Sequence, residues 1–360
     1  MKNHPRFSIS SRQPAAFTLV EIMVSLAVLT ILLLVSAQVI GQVQSTWSAS
    51  NARTTQFKEA RTAFDILSRN LSQATLNTFI DYDTNYLATA GGTAAAAAPS
   101  SYIRKSDLHF RCGPASSLVQ NAGSSSFTPG HAVFFQAPLG VSNDPTLVGL
   151  DRLLCARGYF VQYSSDESWI PDFIPSGDFK FRYRLMEYSP PAEMNSIYAA
   201  VHSPNGSIAN TWFSAAGSAS GNRANTVPTT RPVADNIVAL IISPRREATS
   251  DTEQESADGP TQIAQDYVYD SSKPGNTQHL LPPLVRVVLV AVDEKSAIRM
   301  GELSGSTTTP PLGDQLTPII ANAHQLDQEL KQIVSILQTM RLNYRVFSAT
   351  IALRGAKWSI

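Results

Sequence analysis

The chain has 360 residues, and its 28 Lys and Arg balance 28 Asp and Glu, so the formal net charge is zero and only 16% of residues are charged. Neutralising a polyanion needs a basic excess that this chain lacks, which argues against a nucleic-acid partner. A hydrophobic content of 43% suffices to bury a core and excludes a disordered chain.

Charge is unevenly distributed from the start. Residues 1–16 carry Lys2, Arg6 and Arg12 and no acid, and Ile22 to Ile40 is a run of 19 residues with no charge, dominated by Leu, Val and Ile. At ~1.5 Å per residue that run makes a helix ~28 Å long, close to the ~30 Å hydrocarbon thickness of a bilayer. Basic residues before it and none after it until Arg53 predict a cytoplasmic N-terminus and an extracytoplasmic remainder. Three fates are open to such a segment: an uncleaved anchor, a secretory signal peptide cut after Val35-Ser36-Ala37, or a short leader followed by a retained helix. Glu21 argues against the signal peptide. A carboxylate at the head of an apolar segment costs about 2.5–3.5 kcal/mol near the bilayer core, and a signal peptide gains nothing from it.

No proline lies between Pro14 and Pro99, and Phe57, Ala60, Phe64, Leu67, Leu71 and Ala74 step by 3, 4, 3, 4, 3 along a heptad seam. One helix is therefore predicted over 17–76, with a bend at Gly41 as the alternative. Its 17–43 part would lie in the membrane, and its amphipathic 44–78 part would pack on a globular domain spanning 79–360.

Low-complexity stretches at 88–101, 203–232 and 244–280 read as loops on one scaffold. Between them, strands are predicted at 107–112, 131–136, 158–163, 179–188, 236–243, 284–293 and 345–353, and a second helix at 320–341. The clearest alternation sets Phe179, Phe181, Tyr183 and Leu185 against Lys180, Arg182 and Arg184, the pattern of a half-buried antiparallel strand. The predicted class is α+β: a long N-terminal helix packed on an antiparallel β-sheet domain with long loop insertions.

Sites of chemistry are scarce. The six histidines form no H-E-x-x-H, and no phosphate loop, nucleophile elbow or dinucleotide fingerprint is present, so neither an enzyme nor a cofactor is expected. The acids Asp251, Glu253, Glu255 and Asp258 and the pair Asp293-Glu294 could supply calcium ligands but lack EF-hand spacing, and solvated loops are the simpler reading. Arg182 and Arg184 between aromatics could suggest a single-strand nucleic-acid platform, against a basic face that is solvated or paired with acids. Cys112 and Cys155 permit one disulfide or two buried thiols.

The stretch Ala16-Phe17-Thr18-Leu19-Val20-Glu21, leading into the apolar run, resembles the class III leader of type IV pilins and type II secretion pseudopilins. The resemblance implies that a prepilin peptidase removes residues 1–16 by cutting between Ala16 and Phe17 and methylates the new Phe17 amine. Ala16 stands where the family usually has Gly. It also implies an assembly role in which the Glu21 carboxylate pairs with the Phe17 amine of a neighbouring pilin-like subunit. The expected location is the cytoplasmic (inner) membrane, crossed once, with the C-terminal domain periplasmic or extracellular. The helix phrase 63–78, the strand phrases 131–140 and 284–294, and the end phrase 344–359 resemble the Verru_Chthon cassette protein C family, and more distantly J-type minor pseudopilins. The function these imply is that of a minor pilin or pseudopilin-like structural subunit in a type IV pilus or type II secretion-like system. The alternative is a surface adhesin or cargo-binding module that uses the leader for delivery. Loss of the leader would leave 25 basic against 28 acidic residues, a mildly acidic exported protein.

Overall fold

The structure, a computed structural model, describes residues 18–82, 101–120, 127–147, 149–171, 173, 180–201, 209–218, 229–246, 263, 264, 266–304, 310–316, 318–321 and 323–356. The chain separates into two compact units, 1–54 and 55–360. Helix α1 (Leu19–Ser72) belongs to both. It is followed by β1 (Phe79–Tyr82), β2 (Tyr102–Lys105), β3 (Arg111–Pro114), the short α2 (Ala115–Leu118), β4 (His131–Pro138), β5 (Leu154–Ser165), β6 (Phe181–Tyr188) and α3 (Ile197–Val201). Then come β7 (Thr230–Asp235), β8 (Ile237–Arg245), β9 (Tyr269–Asp270), β10 (Leu284–Val292), α4 (Glu294–Ser304), α5 (Gly313–Leu316), α6 (Leu326–Thr339) and β11 (Tyr344–Ala352).

Helix α1 lies inside the expected 17–76 span and passes through Gly41 as helix. In the larger unit its heptad seam is the buried face: Ala60, Leu67, Leu71 and Ala74 are almost fully buried, Phe64 nearly so, and Phe57 is half-buried. The end of the helix is set by competing partners rather than by a breaker residue. The Arg354 N–H donates to the Ser72 carbonyl at 3.3 Å, and the Thr75 N–H donates to the Gln136 carbonyl at 2.9 Å, drawing the chain onto β4. These contacts satisfy groups that a helix end otherwise leaves open.

Among the described residues all strand pairs are antiparallel. A six-stranded sheet has the order β7-β6-β5-β4-β3-β9, a three-stranded sheet the order β11-β10-β8, and β1 with β2 forms a separate two-stranded ribbon. Strand β8 is buried along its whole length because it packs against β4, β5 and β6 while pairing with β10. His131, at the start of β4, accepts a hydrogen bond from the Ile242 N–H of β8 at 3.1 Å and so joins the two sheets. Gly130, just before β4, has φ +70°, and a Cβ there would sit 2.6 Å from the Leu240 carbonyl oxygen, so glycine meets both the turn and the close approach.

On the β8 side of the larger sheet, α1 adds Asn70, which donates to the Tyr159 hydroxyl at 2.7 Å. On the opposite side, Phe213 stacks on Phe134 with centroids 4.2 Å apart, and Tyr188 donates to the Trp212 carbonyl at 3.0 Å. Both faces are covered, which is why β6 departs from the expected half-buried pattern: it is buried on both sides from Tyr183 to Tyr188. Arg184 is buried with its guanidinium bonded to Asp235 at 3.2 Å and to the Ser164 carbonyl at 2.8 Å. The basic residues of β6 are paired with acids, which removes the basis of a nucleic-acid platform there.

Other departures have local causes. The strand expected at 107–112 shortens to Arg111–Pro114 because the Asn77 side-chain oxygen accepts from the N–H groups of Asp107 and Leu108, at 2.9 and 3.1 Å, in place of a strand partner. The helix expected at 320–341 narrows to Leu326–Thr339, preceded by a 3-10 turn at Ala323–Gln325. Leu326, Ile333 and Leu337 form its buried stripe. The architecture is α+β.

Candidate functional site

The N-terminal turn of α1 holds the sequence-predicted residue Glu21, while Ala16 and Phe17 lie outside the described residues. Thr18 and Glu21 cap this turn reciprocally. The Glu21 carboxylate accepts from the Thr18 backbone N–H at 3.0 Å and from its hydroxyl at 3.0 Å, and the Glu21 N–H donates to the Thr18 hydroxyl at 3.3 Å. This is a capping box, in which the N-cap residue and the residue three later satisfy each other's open groups. The T-x-x-E spacing at Thr18 was the signal for it in the sequence, and it gives Glu21 a role within its own chain in addition to the one implied by resemblance.

The helix behind this cap is apolar on every side. Over Leu19–Ser48 it is long and apolar enough to cross a membrane, and none of that stretch is buried by the rest of the chain. Its large apolar side chains from Leu19 to Val43 are between 49% and 75% exposed. Leaving such side chains in water forfeits about 1.5–3 kcal/mol each relative to burial, so the segment demands an apolar surrounding. A helix that is hydrophobic all round is buried in lipid or in a bundle of similar helices.

The larger unit contains polar clusters of a different kind. Trp212 Nε1 donates to His109 Nδ1 at 3.1 Å, which leaves the ring proton on Nε2 to be donated to Asp270 at 2.7 Å. Arg111 and the Ser272 hydroxyl complete the Asp270 shell, each at 2.7 Å. Burial alone would raise the Asp270 carboxyl, but the bond from His109, the bond from Ser272 and the Arg111 charge together hold it far below the usual carboxylate range. A second cluster joins Tyr159, donating to Glu187 at 2.7 Å, with Arg231, whose two contacts to Glu187 are 3.1 and 3.0 Å. In both clusters the acids are consumed by fixed donors. Such arrangements pin strands and loops together; they hold no activated nucleophile.

A pocket of about 420 Å³ lies between β6 and α4, with Tyr163, Phe181, Tyr183, Ile298 and Met300 among its walls. Arg182 grips Glu294 through two bonds of 2.6 and 2.7 Å at its side. The pocket suits an apolar group beside a neutralised ion pair.

Cys112 and Cys155 are both free and buried, so the possible disulfide between them is corrected in favour of two thiols. Cys112 on β3 faces Val133 of β4, and Cys155 on β5 faces Ala137 of β4. A whole strand and four residues of register separate the two, beyond the ~7 Å Cα reach of a disulfide.

The acids at 251–258 lie outside the described residues. Asp293 caps α4 by accepting from the Ser296 N–H at 2.9 Å, and Glu294 is the partner of Arg182. Among the described residues no three His, Cys, Asp or Glu side chains converge on a metal position.

The family described as the prokaryotic N-terminal methylation motif matches residues 11–37, which span the Ala16-Phe17 junction, the capping turn and most of the uncharged run. No curated protein matches the chain. The motif, the cap and the apolar helix together make this a pilin- or pseudopilin-type precursor, held at the membrane by a single N-terminal helix.

Proposed function

We propose that the protein is a non-enzymatic, minor pilin-like subunit. The leader is removed between Ala16 and Phe17, α1 holds the protein in the inner membrane, and the subunit is then drawn into a bundle of similar helices with its larger unit on the extracytoplasmic side. The observation that carries this reading is the methylation motif at 11–37 running directly into a helix whose apolar side chains are exposed on every side. In such a bundle the Glu21 carboxylate meets the Phe17 amine of a neighbour, because a charge in an apolar setting needs a partner. Basic residues before the span and none within it support the orientation. The size of the β-sheet domain and the insertions expected from the sequence at 88–101, 203–232 and 244–280 favour a subunit of low copy number, since bulky loops obstruct repetitive stacking.

N-terminal sequencing of the membrane-extracted protein tests the reading. Methylated Phe17 is the expected first residue. Gln38 at that position means secretion of a soluble product and Met1 means an uncleaved anchor, and either one overturns it.

A second reading, display of an adhesin or cargo-binding module on the same anchor, draws on the pocket between β6 and α4. Pull-downs with sibling pilin-like subunits, compared with glycan and protein ligands, separate the two.

A further inference from the structure

The pocket between β6 and α4 encloses about 420 Å³, inside the ~300–1,000 Å³ range of small-ligand sites. Its walls are mainly rings and other apolar groups. Tyr163 meets Tyr183 with ring centroids 4.8 Å apart and Phe181 with centroids 6.0 Å apart, and Met300 lines the side formed by α4. The Tyr183 hydroxyl donates to the Pro311 carbonyl, so its polar tip is already used. Such rings take another ring edge-on or offset, and a thioether adds a favourable contact with it.

The acids at and beside the pocket are each held by donors of the same chain. Glu294 accepts from Arg182 at 2.6 and 2.7 Å and from Asn236 Nδ2 at 2.9 Å. Asp166, just after β5, accepts from the Lys180 backbone N–H at 2.8 Å and lies 3.7 Å from Arg184. Asp235 is shared by Arg182 and Arg184, at 3.8 and 3.2 Å. The Lys180 side chain is different. It lines the pocket, is exposed, and has no carboxylate partner among the described residues. Helix α4 exposes two further cations in the same state, Lys295 and Arg299. The unmatched charge around this apolar space is therefore positive.

We infer that the pocket binds a small aromatic carboxylate, with its ring among Tyr163, Phe181 and Tyr183 and its carboxylate toward Lys180. The inference rests on the reading in which the anchored domain carries a ligand, and it names the class of that ligand. A neutral aromatic molecule would bury the same ring without answering the cation, and an organic cation would be repelled by it. Because Lys180 is exposed, its pairing with the carboxylate is screened by water; ring burial supplies most of the affinity and the charge supplies the selectivity.

The probe is 2-naphthylacetate, whose fluorescence reports its surroundings, titrated against the full chain in non-ionic detergent micelles with the signal of empty micelles subtracted. Saturable binding is expected, weaker by about fivefold for the neutral 2-naphthylacetamide and weaker still for 2-naphthylethylamine. Lys180→Glu should reverse the order of acid and amine. A Cβ added at Gly301, on the α4 wall, meets nothing within 4 Å, so Gly301→Phe places a ring in the pocket's space without a clash and should abolish binding while the urea midpoint stays unchanged. Absence of saturable binding, equal binding of acid, amide and amine, or acid binding that survives Gly301→Phe overturns the inference. A Phe-ended peptide that binds through its free C-terminal carboxylate where 2-naphthylacetate does not assigns the pocket to a protein end and also overturns it. A neutral glycan whose binding is lost in Gly301→Phe overturns it too, yet leaves the cargo-binding reading standing; if no ligand depends on position 301, both fall.

Discussion

The Glu21 carboxylate accepts from Thr18 within its own chain and is proposed to meet a neighbour's Phe17 amine in an assembly, so its two roles must be separated by chemistry. Glutamine preserves a capping box but carries no charge, whereas leucine removes both. Glu21→Gln should therefore leave the membrane-held protein at its normal level while reducing subunit crosslinking severalfold, and Glu21→Leu should do no better. If Glu21→Gln crosslinks as the parent does, the pairing role fails and the cap remains its only duty. The cysteines give a second test at this scale. Burial pushes the Cys112 thiol up to about 12, so almost no thiolate forms at neutral pH, and Cys155 is buried as well. Alkylation should label neither thiol in the folded protein and both after denaturation without reductant. Failure to label the denatured chain unless it is first reduced would show a disulfide.

At the scale of elements, α1 offers the sharpest contrast between neighbouring positions. Leu67 is fully buried on the seam, and Ile66, one step round the helix, is 40% exposed. Leu67→Ala should cost about 2–5 kcal/mol in urea unfolding of the micelle-held chain, while Ile66→Ala should stay within about 0.5 kcal/mol. Equal losses would mean that the seam is not the packing face. This seam was legible in the sequence because a helix that buries one face writes a 3, 4 repeat into its apolar positions, and the long strands β4, β8 and β10 announced themselves as β-branched or aromatic runs. The short elements left no such mark. Strand β7, with Pro232 near its middle, is held by the shifted pairing with β6, and its first half fell within the stretch 203–232 read as loop. Helix α4 begins at the Asp293 cap directly after β10, beyond the predicted strand 284–293, where no element is predicted. The site was legible in the same uneven way. Phe17 and Glu21 could be identified as a local phrase, whereas the His109–Asp270–Trp212 cluster joins positions far apart in sequence that only the fold brings together.

For the molecule as a whole, stability should fall on acidification in two stages. Burial pushes the His131 imidazole down to about 3, so the folded protein keeps it neutral while the unfolded chain takes up a proton near pH ~6.5. Its contribution is complete above ~6.5 and is lost as pH drops toward about 3. Asp270, held far below the ordinary range, adds stability above ~3.9 that is lost below it, in the same direction. Urea midpoints should therefore decline from about pH 7.5 to about pH 5, and His131→Gln, which keeps an acceptor for Ile242, should flatten that stage. Parallel decline of parent and variant would assign the first stage elsewhere. Asp270→Asn should blunt the stage below about pH 4 and cost about 1–3 kcal/mol at neutral pH, because it leaves the partly buried Arg111 beside a neutral group. The contact between Arg354 and Ser72 also sets a timetable. The residues that close the end of α1 follow all the other described strands in the chain, so the helix is made while the face it will later bury is still uncovered. Until β11 arrives, the nascent chain leaves Phe64, Leu67 and Leu71 uncovered. Removal of β11 should therefore leave an unfinished larger unit with this face of α1 uncovered rather than a smaller folded one, read as loss of the cooperative urea transition.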